Sequence, residues 1–221
     1  SQAALSLYKK VIAIDPMDTD AFINMASIYK DMGNNNLAEL QYRHALTIDS
    51  KNADLYYNLG NIKKEGLQFK EAQIYYKKAL ELRPSCQLTL NNMGNSYLEL
   101  DELKEAATCF QKSLIINPNN PQTYLNLGNV LQSMRSFDDA IKSYEKASGL
   151  DPGNPSPILN LATTLHLIGK IDLAIKSYLK ALNLAPASKS IWNNIFFSLS
   201  TISSDYSNKS INQMFAKIDL A

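Results

Sequence analysis

The chain has 221 residues, a hydrophobic share of 45% and a formal net charge of +1, with 22 lysines and arginines against 21 aspartates and glutamates. A folded core is expected. A concentrated basic face for nucleic acid or an anionic membrane is not, because the two signs are interspersed. No apolar run approaches the roughly 18 residues of a membrane span, and Cys86 and Cys109 lack metal or disulfide spacing, so both read as buried thiols in a reducing, cytoplasmic setting.

The first predicted element is a helix over about 2–14, followed by Pro16. That proline opens a 34-residue series continued by Pro84, Pro118, Pro152 and Pro186, with Ser50 in the one vacancy. Twelve residues before each member stands alanine: Ala4, Ala38, Ala72, Ala106, Ala140 and Ala174. Eight before stands a ring, at Tyr8, Tyr42, Tyr76, Phe110, Tyr144 and Tyr178, and five before stands a mostly small residue. Five complete units follow from residue 19, over 19–52, 53–86, 87–120, 121–154 and 155–188.

Each unit opens with a helix that carries a small residue at Ala26, Gly60, Gly94, Gly128 or Ala162. Apolar residues three, four and seven apart give that helix one buried stripe. Breaks containing Gly33, Gly66 and Gly169 separate it from a second helix. Pro121 and Pro155 each follow an asparagine, the pattern of an N-cap and a first helical position. Residues 1–18 hold only a second helix, read as a truncated repeat. Residues 189–221 begin with a further first helix, about 189–203, in which Trp192 takes the place of Phe22, Tyr56 and Tyr124. There Phe196 occupies the small-residue position and Asn208 stands where alanine is due. The segment at about 208–220 is therefore expected to be a capping helix or a lead into another domain.

These columns resemble the tetratricopeptide repeat family over about nine-tenths of the chain. The resemblance implies an all-α, right-handed superhelical solenoid whose first helices line a concave groove. No single unit buries both of its faces, so stability is expected to come from stacking neighbours.

Two residues before each small position stands asparagine: Asn24, Asn58, Asn92, Asn126, Asn160 and Asn194. Three residues further along lie Asn61, Asn95 and Asn129, with Ser27 and Thr163 completing that second column. Asparagine disfavours helix by roughly 0.6 kcal/mol relative to alanine, so its recurrence calls for a reason. One reading is that each amide, with two donors and two acceptor lone pairs, bonds the backbone of a passing polypeptide. The pattern resembles the asparagine-lined superhelix of the O-linked N-acetylglucosamine transferases, which implies a recognition module attached to a transferase. The other reading is that the amides bridge neighbouring first helices and set the angle between repeats.

Tyr57, Asn91 and His166 also fall at inward positions, with Asp20, Asp54 and Asn193, and Lys30, Lys64 and Gln132 share the column of His166. The lysine row Lys10, Lys78, Lys112, Lys146 and Lys180, with His44 in register, reads as a solvated face. No catalytic motif, metal-ligand spacing or phosphate-binding loop is present. The chain is therefore expected to bind polypeptide or a partner protein, to need no cofactor and to catalyse nothing by itself. An assembly scaffold without an extended ligand is the alternative. The apolar edge at 1–14 is expected to favour self-association.

Overall fold

The computed structural model describes residues 2–201, which form twelve α-helices and, among the described residues, no strand. In chain order these are α1 (Gln2–Ile14), α2 (Thr19–Asp31), α3 (Asn35–Ile48), α4 (Ala53–Glu65), α5 (Phe69–Leu82) and α6 (Gln87–Glu99). They continue with α7 (Leu103–Ile116), α8 (Pro121–Ser133), α9 (Phe137–Leu150), α10 (Pro155–Leu167), α11 (Ile171–Leu184) and α12 (Lys189–Ser200). The chain divides into two compact units, Ser1–Asn117 and Pro118–Ala221. The first contains α1–α7 and the second α8–α12. The expected capping segment at 208–220 lies outside the described residues.

Helix starts follow local chemistry. Asp18, Asn52, Asn120 and Asn154 cap α2, α4, α8 and α10 by accepting backbone N–H groups with their side chains, and Pro121 and Pro155 stand just inside. Each cap satisfies a donor that the helix leaves orphaned. Cys86 occupies the equivalent place before α6 and makes no side-chain cap bond. It is half-exposed rather than buried, because a cap position lies outside the packed stripe; Cys109 is buried as expected.

The turn inside every repeat has one geometry. The N–H groups of Asn34, Gln68, Glu102, Ser136 and Lys170 each reach back five residues, to the carbonyls of Tyr29, Lys63, Tyr97, Leu131 and Leu165. This closure needs a left-handed residue just before the donor. Gly33 and Gly169 supply it with φ of 74° and 77°, but Leu67, Asp101 and Arg135 hold φ of 57°, 59° and 61°. Gly66 lies in the break after α4, as expected, but one position before the left-handed site. The left-handed site falls on Leu67.

The core of each repeat is a ring packed on a small residue. Tyr42, Tyr76, Phe110, Tyr144 and Tyr178 are buried, as are Ala26, Gly60, Gly94, Gly128 and Ala162. A methyl group on Gly60 would lie 2.5 Å from the Tyr76 ring, one on Gly94 2.8 Å from Phe110, and one on Gly128 2.5 Å from Tyr144. In the first unit a charge cluster adds to this packing. The Lys63 ammonium is buried and reaches Glu39 at 3.0 Å and Glu71 at 3.2 Å, while Arg43 also donates to Glu39. Burial alone would raise the Glu39 carboxyl, but the bonds from Arg43 and Lys63 outweigh it and hold the pKa below the usual glutamate value.

A left-handed leucine or arginine costs about 1 kcal/mol, part of which glycine recovers despite its own entropy. Leu67→Gly and Arg135→Gly should therefore each raise the melting temperature, by about 1–3 °C for a chain of this size. Thermal denaturation followed by circular dichroism checks this, and a fall in both variants would contradict the assigned turn geometry.

Candidate functional site

The two asparagine columns lie on the first helices, three residues apart and so on one helical face. In the first unit they are α2, α4 and α6; in the second, α8, α10 and α12. The structure divides their amides into distinct groups.

In the first unit Asn92 is fully engaged. Its Nδ2 donates to Asn61 Oδ1 at 2.9 Å and to the Tyr57 hydroxyl at 3.1 Å, and its Oδ1 accepts from Lys64 Nζ at 3.0 Å. Asn61 is buried, and its oxygen also accepts the Tyr76 hydroxyl at 2.8 Å. A chain of bonds thus runs from the core ring on α5, through α4, to the next first helix α6. The second unit repeats it. Asn160 Nδ2 donates to Asn129 Oδ1 at 2.8 Å, and Asn129 accepts the Tyr144 hydroxyl at 2.9 Å. These contacts are the inter-helix bridges of the second reading of the sequence.

In both bridges the preceding second-column residue is asparagine. Asn58 follows Ser27, and Asn194 follows Thr163. Those hydroxyls are too short to reach, and they donate instead to the Ile23 and Leu159 carbonyls of their own helices. Ring contacts to these residues are also longer, 3.4 Å from Tyr42 to Ser27 and 3.3 Å from Tyr178 to Thr163. Among the described residues the carboxamides of Asn24 and Asn58 make no hydrogen bond; Asn24 is exposed and Asn58 half-exposed.

The remaining candidates are dispersed among other roles. Asn126 accepts from Gln122 on its own helix at 2.9 Å. Asn91, Asn95 and Asn194 are half-buried. Phe110, facing the Asn95 position in the third complete repeat, has no hydroxyl to donate. Tyr57 accepts from Asn92 and lies 6.2 Å from the Tyr76 ring. His166 Nδ1 meets the buried Ser198 hydroxyl at 2.9 Å and its ring lies 5.2 Å from Phe197, so it is taken up by α12.

One contributor went unrecognised in the sequence. The tyrosine hydroxyls are more than core filling, because they organise the second column. Their signal was a polar residue fifteen positions before each hydroxyl-bearing ring. Lys64, placed by the sequence in the column of His166, is the donor to Asn92. Desolvation lowers its pKa, with Lys30 adding repulsion against the pull of Glu65, and Lys30 itself pairs with Glu65 at 2.9 Å. Burial pushes the Tyr76 and Tyr144 phenols up, so both remain donors at any ordinary pH. Among the described residues no three histidine, cysteine, aspartate or glutamate side chains group closely enough to hold a metal, and no helix is long and apolar enough to cross a membrane.

Asn92→Ala and Asn160→Ala should each destabilise the chain by about 1–2 kcal/mol, because lost bonds outweigh the gain in helix propensity. Asn58→Ala loses no internal bond and gains propensity, so its stability should hold or rise by up to about 0.6 kcal/mol. Urea denaturation of the three variants checks the contrast, and equal destabilisation would contradict it.

Sequence models of the family described as "Tetratricopeptide repeat" or "TPR repeat" match residues 26–65, 53–86, 94–134, 121–154 and 157–188, together well over half of the chain. No curated protein matches the sequence. Among solved structures the chain is similar to YrrB, "a TPR protein with an unusual peptide-binding site", with a TM-score of 0.75 and 23% identity over 85% of this chain and 96% of that one. It is also similar to PilF of Pseudomonas aeruginosa, with a TM-score of 0.71 and 26% identity over 84% of this chain and 85% of that one. For MamA the TM-score is 0.72, with 24% identity over 75% of this chain and 91% of that one. With the repeating helix pairs and the ring-on-small-residue core, these matches lead to one conclusion: the chain belongs to the tetratricopeptide repeat family.

Proposed function

We propose that this chain is a protein-interaction module that binds polypeptide along its first helices and reads the ligand's backbone through amide side chains. The observation that carries this reading is the uncommitted pair Asn24 and Asn58, held on successive first helices of the first unit with no internal partner among the described residues. A helix propensity cost without an internal bond in return is what a ligand-facing amide would show. Packed helices lie about 8–10 Å apart and an extended strand rises about 3.3 Å per residue, so the two amides meet a peptide about three residues apart. Such contacts ignore side chains and give a sequence-tolerant binder. Asn91 and Asn95 extend the surface within the first unit in this proposal, whereas Asn92, Asn61 and Tyr57 support it from within; in the second unit Asn126 and Asn194 are the corresponding readers and Asn129 and Asn160 the supports.

The likeness to YrrB, a protein with a peptide-binding site, agrees with this reading. The resemblance of the columns to those of O-linked N-acetylglucosamine transferases makes a transferase domain the one to seek in the full reading frame. The bonds of Asn92 and Asn160 favour a second reading, an assembly scaffold in which the ladder is purely structural. The apolar side chains Leu7, Val11 and Ile14 exposed on α1 would let such a scaffold pair with itself. Sedimentation velocity should then show mass rising with concentration, and an unchanging monomer would exclude the pairing.

Fluorescence anisotropy with a library of unstructured fifteen-residue peptides separates the readings. The Asn24→Ala/Asn58→Ala double variant should lose about thirtyfold in affinity across sequences, the worth of roughly 1 kcal/mol for each of two lost backbone bonds. Affinity that stays within about twofold would leave the scaffold reading standing.

A further inference from the structure

Two residues before each first-column asparagine stands the residue that fills the gap between repeats: Phe22, Tyr56, Leu90, Tyr124, Ile158 and Trp192. Two residues turn a helix by about 200°, so this column faces away from the asparagines. In the first complete repeat the ring lies beside the cationic column of the second helix: Phe22 stacks on His44 at 5.6 Å with an interplanar angle of 22°. In the second, Tyr56 and Lys78 hold the same register, and the Tyr56 hydroxyl donates to the Ser50 carbonyl at 3.2 Å.

In the third complete repeat the ring is replaced by Leu90, and a groove of about 400 Å³ opens there. Leu80, Pro84, Leu90, Lys112, Ile115 and Ile116 line it. Ile115 is 83% exposed and Ile116 41%, so the two aliphatic side chains form an open apolar flank of the groove. Lys112 is exposed and makes no ion pair among the described residues. The nearby charges are already engaged, Glu81 by Lys78 at 2.7 Å and Arg83 by Asp54 at 2.7 Å. Lys112 is thus the one charge on the groove lining, beside a space that holds a ring in the sister repeats.

We propose that this groove docks an acidic peptide segment that seats one aromatic side chain under Lys112. The ring takes the volume that Tyr56 fills in the preceding repeat and meets the ammonium face-on. A carboxylate next to it in the ligand pairs with the same ammonium, and Ile115 and Ile116 cover the flank. The second unit has a counterpart at Pro152, Ile158 and Lys180, but Glu145 also lines it. That carboxylate repels an acidic ligand, so the first unit's groove is the docking site.

The test is a nitrogen-15 NMR titration of the whole chain with acetyl-Asp-Asp-Phe-Asp-Asp-amide. Saturable shifts are expected at Lys112, Ile115 and Ile116, and the peptide with alanine in place of phenylalanine should bind about tenfold more weakly. Leu90→Tyr supplies the ring from within and should lower affinity by about tenfold while the helical spectrum is retained. Lys112→Gln leaves the core untouched and should weaken binding several-fold, so the proposal stays testable even if Leu90→Tyr fails to fold. Undiminished binding by a folded Leu90→Tyr, or equal binding of the alanine peptide, would overturn the docking site. Shifts centred on Asn24 and Asn58 would also overturn it while leaving the backbone-reading function intact.

Discussion

The contact on which the other features rest is an aromatic ring pressed against a residue with little or no side chain. Gly60 under Tyr76 and Gly128 under Tyr144 leave no room for a methyl group, so the two helices of a repeat approach as closely as their backbones allow. Removing such a ring from a core typically costs about 3–5 kcal/mol. The approach also places the phenol at the far surface of the first helix. In the glycine repeats of Tyr76 and Tyr144 the hydroxyl reaches an asparagine at 2.8 or 2.9 Å; in the alanine repeats of Tyr42 and Tyr178 the partner is the shorter Ser27 or Thr163, at 3.4 or 3.3 Å. Core packing and polar surface are thereby one device.

That device decides which amides are available to a ligand. A second-column asparagine polarised by a tyrosine hydroxyl is a strong acceptor, and it draws in the first-column amide of the following repeat. Asn92 and Asn160 are bound in this way. Ser27 offers no such acceptor to Asn58, so its amide is left facing outward. The face thus changes character along the chain even though its asparagines recur without a gap. A second-column carboxamide in place of a hydroxyl is enough to tie the next repeat's amide down; in the proposed function, an amide left untied is the one that meets a partner. The same logic holds on the opposite face, where exchange of a ring for Leu90 turns a filled seam into a groove.

Much of the fold was legible because the repeat multiplies weak local signals. One alanine means little, but Ala38, Ala72, Ala106, Ala140 and Ala174 in one register fix the helix pairs, and all are fully buried. The asparagine columns were legible as columns, but the fate of each amide was not. It depends on sub-ångström differences in ring approach and on the reach of serine or threonine compared with asparagine, which no residue-by-residue pattern expresses. The break after α4 was legible from Gly66, but the left-handed residue within it was not: the closing bond from Gln68 to Lys63 requires that conformation at Leu67, one position on. The local closure of the turn overrode residue preference there. Lys63 escaped notice because its ion partners, Glu39 and Glu71, come from two different second helices.

In the proposed function asparagine is both strut and reader, and the hydrogen-bond chain from the core decides which. A double-mutant cycle between Asn61 and Asn92, read by urea denaturation, addresses it most directly. If the strut exists, the coupling energy should be about 0.5–1.5 kcal/mol. A coupling indistinguishable from zero, with the two single effects simply additive, would contradict the account.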